Sequence, residues 1–242
     1  MRHVIILGSS FSSGKRIALD YCEDRLKTEE TLKEIDKIKS IQNEQISIAM
    51  HVVSTKSCSW AEVVKMDPFF KDVKLVKSKE EFFKKLQDDK TITSLDIADY
   101  ILTKFNCTHT RLQKLLYYCY ADYLCKFNEK LFNDKIYAFK YGTVISLVYE
   151  KYKHTRYDVN PIEVQSKYEM PIRSRILVGD KGLQKINSIE ETLSKYKYYN
   201  TRTLIALTHR KNTPWEVSHK GEREYEKILD EKILLFHKNE EC

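Results

Sequence analysis

The chain has 242 residues, a net charge of +7, 32% charged and 12% aromatic residues. It can therefore bury a real core as one large domain or two small ones, and its composition excludes a disordered chain. The positive excess is spread out, +2 over residues 1–92 and +5 over 93–242, with short basic pairs such as Lys84-Lys85 and Arg210-Lys211; this is the pattern of a lysine-rich solvated surface more than of the one-faced basic patch of a nucleic-acid module.

In chain order, His3 to Leu7 is an apolar, β-branched run ending at Gly8-Ser9-Ser10, which predicts a buried strand meeting a turn. Gly14 to about Gln42 reads as a long charged helix carrying Ile17, Ala18, Tyr21, Leu26 and Leu32. Ile46 to Val53 predicts a second strand, with His51 half-buried in it, and Ser59 to Lys65 a short helix halted at Asp67-Pro68. Val73 to Val76 predicts a third strand. Ser78-x-x-Glu81 then has the form of a capping box opening an amphipathic helix with Phe82, Phe83 and Leu86. Alternating strands and helices make residues 1–92 a small α/β domain, with a boundary near Ile92 after the hydrophilic Gln87-Asp88-Asp89-Lys90.

Residues 93–242 read as helical. Thr93-x-x-Asp96 is a capping box before Ile97, Ile101 and Phe105. Leu112, Leu115, Leu116, Cys119 and Tyr123 form the next stripe, and Val144, Leu147, Val148 and Tyr152 a third. Ser188-x-x-Glu191 caps a helix with Ile189, Leu193 and Tyr196; Leu204 and Leu207 belong to another. Tyr225, Ile228, Leu229, Ile233 and Phe236 form the last. Stripes of this width face a shared core. Thr155 to Asn187, with Pro161 and Pro171, breaks the period and reads as an irregular exposed insertion, with Ile176-Leu177-Val178 as a short strand.

The six cysteines at 22, 58, 107, 119, 125 and 242 include no C-x-x-C pair and read as reduced, mostly buried thiols of a cytoplasmic protein, with no metal site expected. Val4-Ile5-Ile6-Leu7 is too short for a signal segment or a membrane span. Gly8-Ser-Ser-Phe-Ser-Ser-Gly14-Lys15 suggests a phosphate-binding loop, but five residues separate the glycines where the motif has four, and Arg16 stands where Ser or Thr would hold magnesium. A helix N-terminus with several Ser hydroxyls could still hold a phosphate, so loop 8–15 is kept as a phosphate- or nucleotide-binding alternative.

An ordered set of motifs carries more information. Leu112 to Tyr118 reads L-Q-K-L-L-Y-Y, Phe139 to Val144 reads F-K-Y-G-T-V, and Thr208 to Trp215 reads T-H-R-K-N-T-P-W. Together, over about 95–236, these resemble the Panacea-domain family, the SocA-like antitoxins first noted as phage-associated GepA proteins. One departure is Thr143, where the family has proline after Gly142; threonine can cap a helix in its place. The resemblance implies a mainly α-helical bundle of the Panacea type over 93–242; with the small α/β domain read over 1–92, which matches none of these motifs and whose role stays open, the expected fold class is α+β. It also implies a non-enzymatic protein without cofactor or catalytic residues, part of a type II toxin–antitoxin pair, which neutralises a cognate protein toxin by direct binding. Self-association, a role as protease adaptor and operator-DNA autoregulation are the accompanying partner readings.

The apolar motif residues read as core, with Trp215 closing over it. The polar members, Gln113, Lys114, Tyr117, Tyr141 and His209, together with Trp215, are the candidate partner-binding residues, either forming the surface or tying the helix to the turns at Tyr141 and His209.

Overall fold

The fold is that of a computed structural model, which describes residues 1–10, 15–23, 33, 48–154, 169–219, 221 and 225–240. Two compact units are delimited, Met1–Lys90 and Thr91–Cys242.

In the first unit, β1 (Arg2–Ser10) is the second strand of a four-stranded sheet. It pairs antiparallel with β2 (Lys15–Glu23) from Arg2↔Glu23 to Ser10↔Lys15, and on its other edge with β3 (Ile48–Ser54). β4 (Val73–Leu75) runs parallel to β2, giving the order β3-β1-β2-β4. β1 is apolar without alternation because both its faces are covered. Ile6 meets Ile17, Leu19 and Phe82, while Ile5 and Leu7 meet Val63, Phe70 and Val73. Phe82 and Leu86 lie on α2 (Lys79–Asp88), where Ser78 accepts from the Glu81 backbone N–H as its pattern predicts. Val63 lies on α1 (Trp60–Met66), capped by Ser59 and stopped at Asp67, before the 3-10 turn Pro68–Phe70. Gly8 lets Leu86 pack close against β1, since a Cβ there would lie 2.9 Å from Leu86 Cδ2.

Two expectations are corrected in this unit. Lys15–Glu23 is a strand and not the start of a helix; Ile17, Leu19 and Tyr21 alternate, and the open edge of β1 selects that period. The rest of the expected helix lies outside the described residues, except Lys33, which is helical. Second, Cys22 and Cys58 are not free thiols. They form a disulfide with a Cα–Cα distance of 5.5 Å. Cys107 and Cys119 are free and buried, and Cys125 is free and exposed.

The second unit is organised on α4 (His109–Phe127), which Thr108 caps and Asn128, with φ 54°, terminates. Its residues from Leu112 to Leu124 are nearly all buried, because elements pack on all its sides. These include α3 (Ser94–Lys104), opened by a complete Thr93/Asp96 capping box, and the hairpin of β5 (Ile136–Phe139) and β6 (Gly142–Ile145). They also include α5 (Ser146–Tyr152), α7 (Gly182–Tyr196), α8 (Thr201–Thr208) and α9 (Asp230–Phe236). α6 (Glu169–Val178) packs on α3 and α7. β7 (Glu226–Lys227) adds to β5, giving a sheet of order β6-β5-β7, and a 3-10 turn, His237–Glu240, follows α9. With its two sheets and many helices the chain is α+β.

Here too the structure departs from the periodicities. Gly142–Ile145 is a strand before α5 begins, so Thr143 is a buried strand residue and not a cap. Ile176-Leu177-Val178 ends a helix. Of the supposed irregular insertion, 155–168 lies outside the described residues and 169–187 is largely helical. α7 starts at Gly182 behind Lys181, so Ser188 is a buried mid-helix residue. The expected last helix is split into β7 and α9.

Candidate functional site

Gln113, Lys114 and Tyr117 lie on α4 with 1%, 1% and 0% exposure. Gln113 treats β6 as a neighbouring strand would. Its Oε1 accepts from the Ile145 N–H at 2.8 Å and its Nε2 donates to the Ile145 carbonyl at 3.4 Å. Lys114 Nζ donates to the Thr143 carbonyl at 2.9 Å. Burial pushes the Lys114 ammonium down to about 7, against the pull of the Glu240 carboxylate. Gly142, at φ +101°, makes room for that ammonium, because a Cβ there would lie 2.3 Å from Lys114 Nζ and 2.9 Å from Thr208 Oγ1.

Tyr117 reaches the other way. Its hydroxyl donates to Glu240 Oε2 at 2.8 Å, and burial, with the Glu240 charge, raises it well above its ordinary value. Glu240 Oε2 also meets His237 Nδ1 at 2.7 Å, and His237 Nε2 meets Asp122 Oδ1 at 2.7 Å. Asp122 Oδ2 accepts from Thr192 Oγ1 of α7 at 2.8 Å. Burial alone would lower His237, but its two carboxylate partners hold it up to about 9. Burial raises Glu240, with His237, Tyr117 and Lys114 opposing. A cleft of about 360 Å³ opens beside Asp122 and His237, with Ser188 and Thr192 in its lining and the Lys126–Glu191 ion pair, at 2.6 Å, along it.

The third group is the T-H-x-x-x-x-P-W segment. His209 Nδ1 lies 2.7 Å from the Ile205 carbonyl and its Nε2 lies 3.3 Å from the Lys140 carbonyl. Trp215 Nε1 donates to the Phe139 carbonyl at 2.7 Å, with its ring 3.8 Å from that of His209 and stacked on His219 at 4.5 Å. Thr213 Oγ1 ties the segment back to the Thr208 and Arg210 carbonyls. Tyr141, in the two-residue turn of the β5–β6 hairpin, is 67% exposed.

The six residues chosen from the sequence are therefore three attachments and one exposed ring. Gln113 and Lys114 fix β6, His209 and Trp215 fix the end of β5, Tyr117 fixes the C-terminal turn, and Tyr141 projects at the hairpin tip. Asp122, His237 and Glu240 were missed; the only local signal was an H-x-x-E turn behind an apolar helix. The loop at 8–15 joins two strands, so no helix N-terminus stands at Lys15, and residues 11–14 lie outside the described residues. Among the described residues no group of three or more His, Cys, Asp or Glu is placed to hold a metal ion, and no helix is long and apolar enough to cross a membrane.

A buried helix that pins a hairpin and a C-terminal turn by polar side chains is the framework of a helix-rich α+β domain. The family model described as antitoxin SocA-like, Panacea domain, matches residues 112–216, from Leu112 within α4 to Glu216, and the chain is similar to that family over this stretch. No curated protein and no solved structure matches the chain.

Proposed function

We propose that this protein is a non-enzymatic antitoxin of a type II toxin–antitoxin pair, of the prophage-borne kind, which neutralises a protein toxin in the cytoplasm by binding it directly. The observation that carries this reading is the Panacea match over 112–216. The geometry agrees with it. The polar motif residues are committed to backbone carbonyls and to the C-terminal turn, the work of a scaffold that displays a surface. In this reading residues 93–242 form the helical bundle of the Panacea type, and 1–92 form an appended domain that tunes partner choice.

The test is expression of the adjacent reading frame under an inducible promoter, with and without this chain. Growth arrest relieved by the chain, and co-elution of the two purified products, is the expected result. Arrest that the chain does not relieve, or relief without a complex, sinks the reading. An operator-DNA complex that weakens steeply with salt would point to the regulator reading instead.

A further inference from the structure

The motif residues clamp the β5–β6 hairpin from four positions, and what the hairpin displays is aromatic. In β5, Ile136 and Ala138 face the core, so Tyr137 and Phe139 take the outer face by alternation. Beyond Phe139 stands Tyr141, and beside it Tyr225, 61% exposed, whose ring stacks on Phe139 at 4.0 Å. Tyr149 of α5 closes on Phe139 at 5.2 Å. The same face carries Lys227, paired in register with Tyr137, while Lys135 precedes it by two residues. Both lysines are exposed and neither is in an ion pair among the described residues.

We infer that this outer face, Tyr137, Phe139, Tyr141 and Tyr225 bordered by Lys135 and Lys227, is a protein-docking surface whose partner presents an apolar patch flanked by carboxylates. The inference rests on the protein-binding reading above and names its face. Clustered Tyr and Phe with a polar border are the composition of interface centres. The exposed Tyr225 ring, already stacked on the half-buried Phe139, loses little freedom on binding. The clamps on the Phe139, Lys140, Thr143 and Ile145 backbone groups keep the strands in place, which gives the motif a purpose beyond packing. The unpaired lysines select an acidic partner. A second copy of this chain would bring like charges together on a molecule of net charge +7.

The test places the photocrosslinker p-benzoylphenylalanine at Tyr225 in the full chain, in the cells that make it, with a control at Tyr198, an exposed tyrosine outside the sheet. Expected is an adduct from position 225 alone, identified by mass spectrometry as one acidic protein. With that protein purified, Tyr225→Ala and Lys227→Glu should each weaken binding at least about tenfold, with unchanged melting temperature. Adducts only with this chain itself, only with nucleic acid, equally from both positions or from neither overturn the inference, as do variants that bind like the parent. If the chain fails to relieve the neighbouring toxin-like gene yet position 225 captures an acidic protein that both variants release, the antitoxin reading falls and this surface stands. If relief and complex survive both variants unchanged, only the surface falls.

Discussion

Tyr117 and Glu240, 123 residues apart, share a buried hydrogen bond of 2.8 Å that fastens the C-terminal turn to the central helix. Glu240 Oε1 has no hydrogen-bond partner among the described residues, so the carboxylate depends on Tyr117 and His237. Tyr117→Phe should cost about 1–3 kcal/mol, the usual penalty for leaving a buried polar group short of a partner. Urea denaturation measures it, and affinity of the folded variant for the proposed toxin partner should stay at the parent value. A loss of affinity without a loss of stability would mean that Tyr117 touches the partner.

The His237 site makes stability depend on pH. A group whose folded pKa is raised contributes stability that is complete below its unfolded value and disappears as pH rises through the folded one. For His237 that window runs from about 6.5 to about 9. His237→Gln should thus cost most below pH 6.5, on the order of 3 kcal/mol, and progressively less up to pH 9. Parallel denaturation series of parent and variant at pH 6 and 9.5 check this; a difference that does not shrink at the higher pH contradicts it.

Gly142→Ala should destabilise by about 1–3 kcal/mol. The backbone is at φ +101°, and the new Cβ would displace the Lys114 ammonium from a buried bond to Thr143. Thermal denaturation reads the cost. A variant as stable as the parent would show that the hairpin does not depend on this close approach.

Leu116 is fully buried in the middle of α4. Leu116→Ala should cost roughly 2–5 kcal/mol, and any drop in the proposed protection from a toxin should follow the folded fraction measured by circular dichroism. An unchanged melting temperature would remove Leu116 from the core.

Elements with a stop or start signal of their own were legible in the sequence. The Thr93/Asp96 box and the Ser78 cap stand where their patterns placed them, and the Leu112–Tyr123 stripe is the core face of α4. Lys15–Glu23 was not, because Ile17, Ala18 and Tyr21 satisfy helical spacing while Ile17, Leu19 and Tyr21 satisfy strand spacing, and only pairing with β1 decides. Ser188 imitates a cap, whereas the true start of α7 at Lys181 has no side-chain cap to advertise it. Within the Asp122–His237–Glu240 chain the His237–Glu240 step is local, but Asp122 and His237 lie 115 positions apart, a pairing that no local pattern encodes. The polar motif residues stand out in the sequence by their order along the chain, but the burial of Gln113, Lys114 and Tyr117 could not be read from residue type.

The Cys22–Cys58 bond spans 36 positions, a loop whose closure removes unfolded-state entropy worth roughly 4 kcal/mol at room temperature. That contribution belongs to the Met1–Lys90 unit, while Cys107, Cys119 and Cys125 of the other unit are free. A thiol reductant therefore acts, among the described residues, on the Met1–Lys90 unit. The Met1–Lys90 unit becomes a reporter of the chemical potential of electrons around it, with its melting point as the readout and the Thr91–Cys242 unit as the internal standard.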